Sequence, residues 1–213
     1  MLHSSIALIR AAGSCSEGIE RTRCNLRHLH AGDEEARFTV AAVLECGGLD
    51  DAIWTLRAVP TEEIGESTRV CWNFATECVT HAVRAAQVPG DAEHVRLVLR
   101  VARLRAEGRL SPERSSRLWR ELRRWASGYY IRRAARATLF PGCGSDGAQH
   151  AAMCSARAVV ECGGAADEER LWQTNCLVRG LIGGLSGSSN EAMQRTDLSV
   201  GRRYSELRRR TAT

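Results

Sequence analysis

The chain has 213 residues, of which 44% are apolar, 26% charged and only 5% aromatic, an ordinary balance for a globular protein with a sizeable core. Its formal net charge is +5, which permits nucleic-acid binding without requiring it. No apolar stretch approaches the roughly 18 residues of a membrane span, so a membrane protein is excluded.

All 30 basic residues are arginine. A GC-rich coding sequence is the simplest explanation, and selection for guanidinium forks that suit phosphate or carboxylate partners is the alternative. The nine cysteines are odd in number and contain no CxxC pair. Because the first residues also lack the pattern of a secretory signal, we expect a cytoplasmic protein with reduced, mostly buried thiols, no cofactor and no membrane partner.

The chain divides into three regions by composition. Residues 1–37 mix Ser, Gly, Arg and His without a sustained period and are predicted to be an N-terminal extension, either loose or with a short helix around 17–30. Residues 38–183 are predicted to be a helical domain. Residues 184–213 are rich in Gly and Ser and then basic, which predicts a flexible or weakly docked tail.

The helical region opens with "FTVAAVLEC", a helix of about two turns that Gly47 and Gly48 should stop. Asp50 or Asp51 is then expected to cap a second helix, which Pro60 ends. The same four residues, "ECGG", recur at 161–164, again followed by acidic residues and a predicted helix at about 165–183. The repeat therefore indicates helix stops and starts rather than chemistry.

Two longer helices are predicted from apolar stripes at helical spacing. The first lies within 61–87, with a stripe of Val70, Phe74, Cys78, Val79 and Val83. The second lies between Asp91 and Gly108, with a stripe of Val95, Val98, Leu99 and Ala102.

The clearest helix start is Ser111 as N-cap with Pro112 and Glu113 in the first turn. After a break near Gly128 the helix is expected to continue, and 140–149 is predicted to be a loop, with helix resuming at about 149–161. Because no segment shows strand alternation bounded by turns, we predict an all-α fold, a multi-helix bundle of antiparallel helical hairpins.

Several sets of residues are candidates for a metal site or a catalytic site. Cys71, Cys78 and His81 share one side of a helix and could bind a metal with Cys24, His28 and His30, but their spacing matches no zinc motif, so buried core residues are favoured. Asp50 and Asp51 could act as paired carboxylates, although helix capping is favoured. A Cys/His nucleophile pair stays open. No metal site and no catalytic residue is predicted.

A cationic patch gives the best functional prediction. Eight arginines fall between 114 and 136 with aromatic residues among them, which suits a phosphate backbone or an acidic protein surface. The alternative is a solvated helix face paired with Glu113 and Glu121. The predicted binding residues are Arg117, Arg120, Arg123, Arg124, Tyr129, Tyr130, Arg132 and Arg133.

Three stretches resemble immunity-protein-like helical proteins of phage, mobile-element and high-GC bacterial genomes. They are "TVAAVLECGGLDDAIWTLRAV", "VCWNFATECVTHAV" and "LVLRVARLRAEGRLSPERSSRLWREL", within residues 38–183. The chain departs from that family at "RRWASGYYIRRAARATLFPGCG", where relatives carry a long Ala/Trp helix. The resemblance implies a non-enzymatic protein that binds and blocks a protein partner, such as a bacterial toxin, nuclease or defence complex. A nucleic-acid-binding module that uses the Arg-rich helix at 111–136 is the alternative.

Overall fold

The structure is a computed structural model that describes residues 1–30, 32–85, 92–123, 126, 129–141 and 144–183. These ranges are predominantly helical and contain only one small two-stranded sheet, so the predicted all-α helical bundle is confirmed. None of the helices in these ranges combines the length and the hydrophobicity needed to span a bilayer. The predicted tail, 184–213, lies outside the described residues.

Eleven helices are found in the described ranges. They are α1 (Ile6–Ala11), α2 (Ser16–Asn25), α3 (Arg27–His30), α4 (Val40–Gly47), α5 (Leu49–Thr55), α6 (Ile64–Ala85), α7 (Ala92–Ala106), α8 (Pro112–Glu121), α9 (Tyr130–Ala137), α10 (Gly144–Glu161) and α11 (Ala166–Gly183). A short 3₁₀ turn, Thr61–Glu63, precedes α6. Two strands of two residues each, β1 (His3–Ser4) and β2 (Phe38–Thr39), pair antiparallel.

The N-terminal segment folds onto the rest of the chain. Its register pairs His3 with Thr39 and Ser4 with Phe38, and the Ser4 hydroxyl donates to the carbonyl of Ala58 at 2.5 Å. The same segment forms helices at residues 6–11, 16–25 and 27–30. Of the two alternatives for this segment, a loose extension or a short helix around 17–30, the structure shows the helical one. The segment shares one buried apolar cluster with the residues that follow it, formed by Ile6, Ile9, Ile19, Leu26, Phe38, Val43 and Ala58.

The corner between α4 and α5 confirms the first predicted helix stop. Gly48 takes a φ of +87°, which a residue with a Cβ rarely adopts, and links the two helices directly. The predicted capping by Asp50 or Asp51 is wrong, because Gly48 is itself the N-cap and no side chain caps α5. Both aspartates lie in the first turn of α5, where their negative charges interact favourably with the positive end of the helix dipole.

The second "ECGG" makes a similar corner with a shifted register. Here α10 ends at Glu161, and it is the first glycine, Gly163, that takes a φ of +88°. Gly164 packs so closely that an added Cβ would lie 2.4 Å from Cγ1 of Val159. Both copies therefore end one helix and allow the next to begin. The residue with positive φ is the second glycine in the first copy and the first glycine in the second copy.

Helix α6 lies at the centre and packs against α7, α9, α10 and α11. The predicted stripe of α6 is buried apart from Val83, which is half-buried, and all four stripe residues of α7 are buried. Gly108 follows α7 with a φ of +70°, as the sequence predicted for the end of that helix. The predicted end of the first of these helices, before Pro89, and the predicted start of the second, at Asp91, lie outside the described residues.

The prediction of a loop at 140–149 is wrong for residues 144–149, because α10 already begins at Gly144. The two glycines of this stretch that the structure describes, Gly144 and Gly147, serve close packing of helices rather than a turn. A Cβ at Gly144 would lie 3.1 Å from the Cβ of Cys71 in α6, and a Cβ at Gly147 would lie 2.9 Å from the carbonyl oxygen of Ala137 in α9. Small residues here let α10 lie directly against both neighbours.

Candidate functional site

The start of α8 is set by the predicted cap. The Ser111 hydroxyl accepts a hydrogen bond from the amide of Arg114 at 3.3 Å, and Pro112 occupies the first turn. Ser115 is the buried residue of this helix, and its hydroxyl lies 3.4 Å from the carbonyl oxygen of Leu139. Helix α8 is thus attached to the turn that follows α9.

A second set of contacts orients α9 against α8. The Nε of Arg136 donates to the carbonyl oxygen of Trp119 at 2.8 Å, and its guanidinium lies 3.9 Å from the centre of the Trp119 ring. Trp119 in turn meets Phe140 edge-on, with ring centres 5.6 Å apart. Arg136 and the two rings therefore form a fixed wall.

The other side of α9 is held by a buried arginine. The guanidinium of Arg105 in α7 stacks 4.2 Å from the Trp72 ring, and its Nη1 lies 3.4 Å from the carbonyl oxygen of Thr138 at the end of α9. Burial lowers the pKa of Arg105 to about 10. A cation at this position suits the negative end of the helix dipole.

Helices α8, α9 and α10 enclose a half-open cavity of about 600 Å³, which we name the cationic cleft. Cavities of this size commonly hold a small molecule or a few side chains of a partner. The lining residues are Trp119, Arg123, Ala126, Arg133, Arg136, Ala137, Phe140, Asp146 and His150.

The charges of the cationic cleft are unbalanced. Its one carboxylate in the described lining, Asp146, already forms an ion pair with Arg57, which also donates to the Ser145 hydroxyl at 3.2 Å. Arg123, Arg133 and Arg136 have no carboxylate partner among the described residues. The cleft therefore carries three cations that no carboxylate of the described residues neutralises.

The pKa values of two lining residues are lowered first by burial and then by this crowding of charge. Burial, and then the neighbouring charge of Arg123, lowers the pKa of Arg136. Burial, followed by the charges of Arg133 and Arg136, lowers the pKa of His150. An anion in the cleft would relieve the repulsion that both shifts report.

Beside the cleft, tyrosine rings are covered by guanidinium groups. Arg132 lies 4.7 Å from the centre of the Tyr129 ring. Arg157 lies 5.4 Å from the Tyr130 ring and donates to its hydroxyl at 3.0 Å, while Arg133 lies 5.8 Å from the same ring. These pairs orient the arginines at the surface.

The structure divides the eight predicted binding residues. Arg123 and Arg133 meet in the cationic cleft. Arg117 and Arg120 are exposed on the outer face of α8, where Arg117 pairs with Glu121 at 2.9 Å, as the solvated-face alternative expected. Tyr129, Tyr130 and Arg132 lie beside the cleft, and Arg124 lies outside the described residues.

Sequence reasoning omitted several cleft residues. Arg136 belongs to the predicted patch but not to the predicted binding set, although its i, i+3 spacing from Arg133 could have included it. Asp146 was missed because its segment was predicted to be a loop, and His150 was missed because no local signal links the start of the predicted helix at 149–161 to the arginines. No local signal places Phe140 against Trp119, since that contact depends on how α9 turns into α10.

Of the thiol and metal candidates, Cys71 and Cys78 lie in the interior and His81 is half-buried, whereas Cys24 and His28 lie at the surface. Cys71 and Cys78 are buried, and burial raises the pKa of the Cys78 thiol well above its usual value. His81 stacks on Trp172 at 3.9 Å and its Nδ1 lies 2.8 Å from Oε2 of Glu169. No three His, Cys, Asp or Glu side chains in the described ranges are grouped so that they could hold a metal ion.

The paired aspartates are engaged in ion pairs. Asp51 accepts two hydrogen bonds from Arg21, at 3.0 and 2.7 Å, and Asp50 accepts one from Arg170 at 2.6 Å. These contacts join α5 to α2 and α11, which is a structural role.

The sequence matches no protein-family model, no curated protein and no solved structure.

Proposed function

We propose that this protein is a non-enzymatic binding protein that docks the acidic surface of a partner protein at the cationic cleft. The observation that carries the proposal is the group of three arginines without a carboxylate partner among the described residues. Charge complementarity of this kind steers association and fixes the register of a complex.

The ring contacts favour a protein partner over a nucleic acid. Binding of single strands depends on open aromatic faces on which bases stack. Here Arg136 covers a face of Trp119 and Arg132 covers a face of Tyr129. Arginine and tyrosine held in this way are typical anchors of protein interfaces.

The state of the candidate nucleophiles supports a role without catalysis. A reactive cysteine needs a lowered thiol pKa. Burial instead raises the pKa of Cys78, Cys154 and Cys176, the last to about 11. Asp50 and Asp51 are held by arginines and are poorly suited to proton transfer.

The resemblance of residues 38–183 to immunity-protein-like proteins supports a bacterial toxin, nuclease or defence complex as the partner. The effect of binding would be to block that partner. The region that departs from the family, residues 123–144, is also the region that supplies most of the cationic cleft. The partner would therefore differ from those of the relatives.

The proposal is tested with labelled probes and the full chain. A Glu-rich peptide, a neutral peptide of equal length and a single-stranded DNA are titrated by fluorescence anisotropy over a salt series. The double variant Arg123→Gln/Arg133→Gln is compared with Arg96→Gln/Arg100→Gln, which removes two exposed arginines from α7. We expect the cleft variant to bind the acidic peptide about tenfold more weakly and the α7 variant to be nearly unchanged.

Three outcomes would contradict the proposal. Equal losses in both variants would indicate nonspecific attraction to net charge. Equal binding of acidic and neutral peptides would remove the charge argument. Tighter binding of DNA with a steep salt dependence would favour the nucleic-acid alternative.

A further inference from the structure

The cationic cleft holds more positive charge than a single carboxylate would use. One guanidinium fork satisfies both oxygens of a carboxylate by two parallel hydrogen bonds. Arg123, Arg133 and Arg136 offer three such groups to one cavity. A tetrahedral dianion has enough oxygens and enough charge to engage all three.

One of these groups is fixed before any ligand arrives. Arg136 is held by its Nε bond to the backbone of Trp119 and by stacking on that ring. Its two Nη groups have no acceptor among the described residues. A half-buried, fixed guanidinium binds an anion with little further loss of conformational entropy.

The cavity is also larger than a bare phosphate requires. Its volume of about 600 Å³ leaves room for the group that carries the phosphate. Trp119 and Phe140 give that part of the cavity an apolar wall. A flat or apolar carrier would pack there while its phosphate meets the arginines.

We infer that the cationic cleft is a binding site for a phosphate monoester, with Arg123, Arg133 and Arg136 around the phosphate and the carrier group against Trp119 and Phe140. The inference rests on the proposed function and names the anchoring group, a phosphorylated side chain of the partner protein. The one carboxylate of the described lining, Asp146, would repel a phosphate, but its charge is neutralised by the ion pair with Arg57.

The test uses small probes and isothermal titration calorimetry on the full chain at constant ionic strength. Phenyl phosphate supplies a monoester on a ring, benzoate supplies a carboxylate on the same ring, and inorganic phosphate lacks a carrier. We expect phenyl phosphate to bind about tenfold more tightly than either of the other two. A free phosphate source would instead be indicated if inorganic phosphate bound as tightly as phenyl phosphate, and that result would overturn the role of the carrier.

Matched variants locate the site. Arg123→Gln and Arg133→Gln should each weaken phenyl phosphate binding about tenfold. Arg117→Gln removes the same charge from the outer face of α8 and should leave binding unchanged. Equal binding of phenyl phosphate and benzoate, or an equal loss in Arg117→Gln, would overturn the inference.

The two proposals fail separately. Acidic peptides that bind through the cleft while phenyl phosphate does not would refute the phosphate site alone. Phenyl phosphate that binds through the cleft while acidic peptides do not would refute the proposed docking of an acidic protein surface. Circular dichroism of each variant checks that the exposed substitutions leave the helices intact.

Discussion

The arginines that join α2 and α11 to α5 and those that line the cationic cleft are chemically identical but have different partners. Arg21 and Arg170 each meet an aspartate of α5 at 2.7 Å or less, across 30 and 120 residues of sequence. Arg123 and Arg133 meet no carboxylate among the described residues. The first pair connects distant segments, whereas the second leaves charge available to a ligand.

The difference separates arginines that serve the fold from arginines that serve binding. Removing a paired arginine or its acid should lower stability, whereas removing Arg123 or Arg133 should change binding alone. Substitutions can test this contrast, and the most deeply buried carboxylate among the described residues is Glu169.

The largest effect on stability is expected for Glu169→Ala. This carboxylate is buried, accepts from Nε2 of Gln173 at 2.9 Å and lies 2.8 Å from Nδ1 of His81. Its loss leaves an N–H of the buried Gln173 without its acceptor and the half-buried His81 without the carboxylate that faces it, so the free energy of unfolding should fall by about 3 kcal/mol. Urea denaturation followed by circular dichroism measures the change.

Glu169→Gln is the matched control. Burial raises the pKa of Glu169, so its ionised form is the costly one in the fold. The neutral amide keeps an acceptor for Gln173, and we expect about half the loss. Equal destabilisation by both substitutions would contradict the buried hydrogen-bond role.

A smaller loss is expected for Asp51→Asn, which breaks the two-bond contact with Arg21. The pair is largely solvent-exposed on the arginine side, so we expect about 1 kcal/mol, part of it from the helix dipole. Asp167→Asn is the control, since Asp167 also lies in the first turn of a helix but is exposed and has no side-chain partner among the described residues. An equal loss in the control would assign the whole effect to the dipole.

Local signals made much of the fold predictable. The cap at Ser111, the terminal Gly108 and the buried stripe of α7 each depend on a few neighbouring residues, and all three agree with the structure. The two "ECGG" corners were predicted as helix stops for the same reason. Their difference in register was not, because it depends on which glycine lies against a neighbouring side chain.

Contacts between distant segments were not predictable. Gly144 and Gly147 belong to a helix, although composition indicated a loop, because their role is close packing against α6 and α9. The same packing brings His150 and Asp146 to Arg133 and completes the cationic cleft. A pattern of arginines along the chain therefore indicated the region of the site but not its lining.

A weaker effect on stability is expected at Glu34, which follows α3 in sequence and forms ion pairs with Arg10 of α1 and Arg23 of α2. Hydrogen bonds and charge from Arg10 and then Arg23 outweigh its burial and lower the pKa of Glu34 from 4.5 to about 2. Because the folded pKa is lowered, its stabilisation is fully present above pH 4.5 and is lost as the pH falls toward 2. The stability difference between the wild type and Glu34→Gln, measured by urea denaturation, should shrink over that range.

The salt dependence of stability checks whether Glu34 stabilises the fold through its charge. The three side chains are exposed enough for ions to screen them, so high salt should also reduce the difference between wild type and variant at neutral pH. A difference that is constant with both pH and salt would show that Glu34 acts through packing rather than charge.

The smallest stability change is expected for Arg133→Gln in the cationic cleft. This exposed side chain forms no ion pair with another described residue, so the free energy of unfolding should stay within about 0.5 kcal/mol of the wild type. The charge of Arg133 contributes to lowering the pKa of His150, so its removal should raise that pKa toward the ordinary value. An NMR titration of the imidazole C–H signals follows the shift, and Arg117→Gln should leave it unmoved. If Arg133→Gln instead destabilised the protein as much as Asp51→Asn does, the cleft arginines would belong to the fold, and the contrast with Arg21 and Arg170 would be lost.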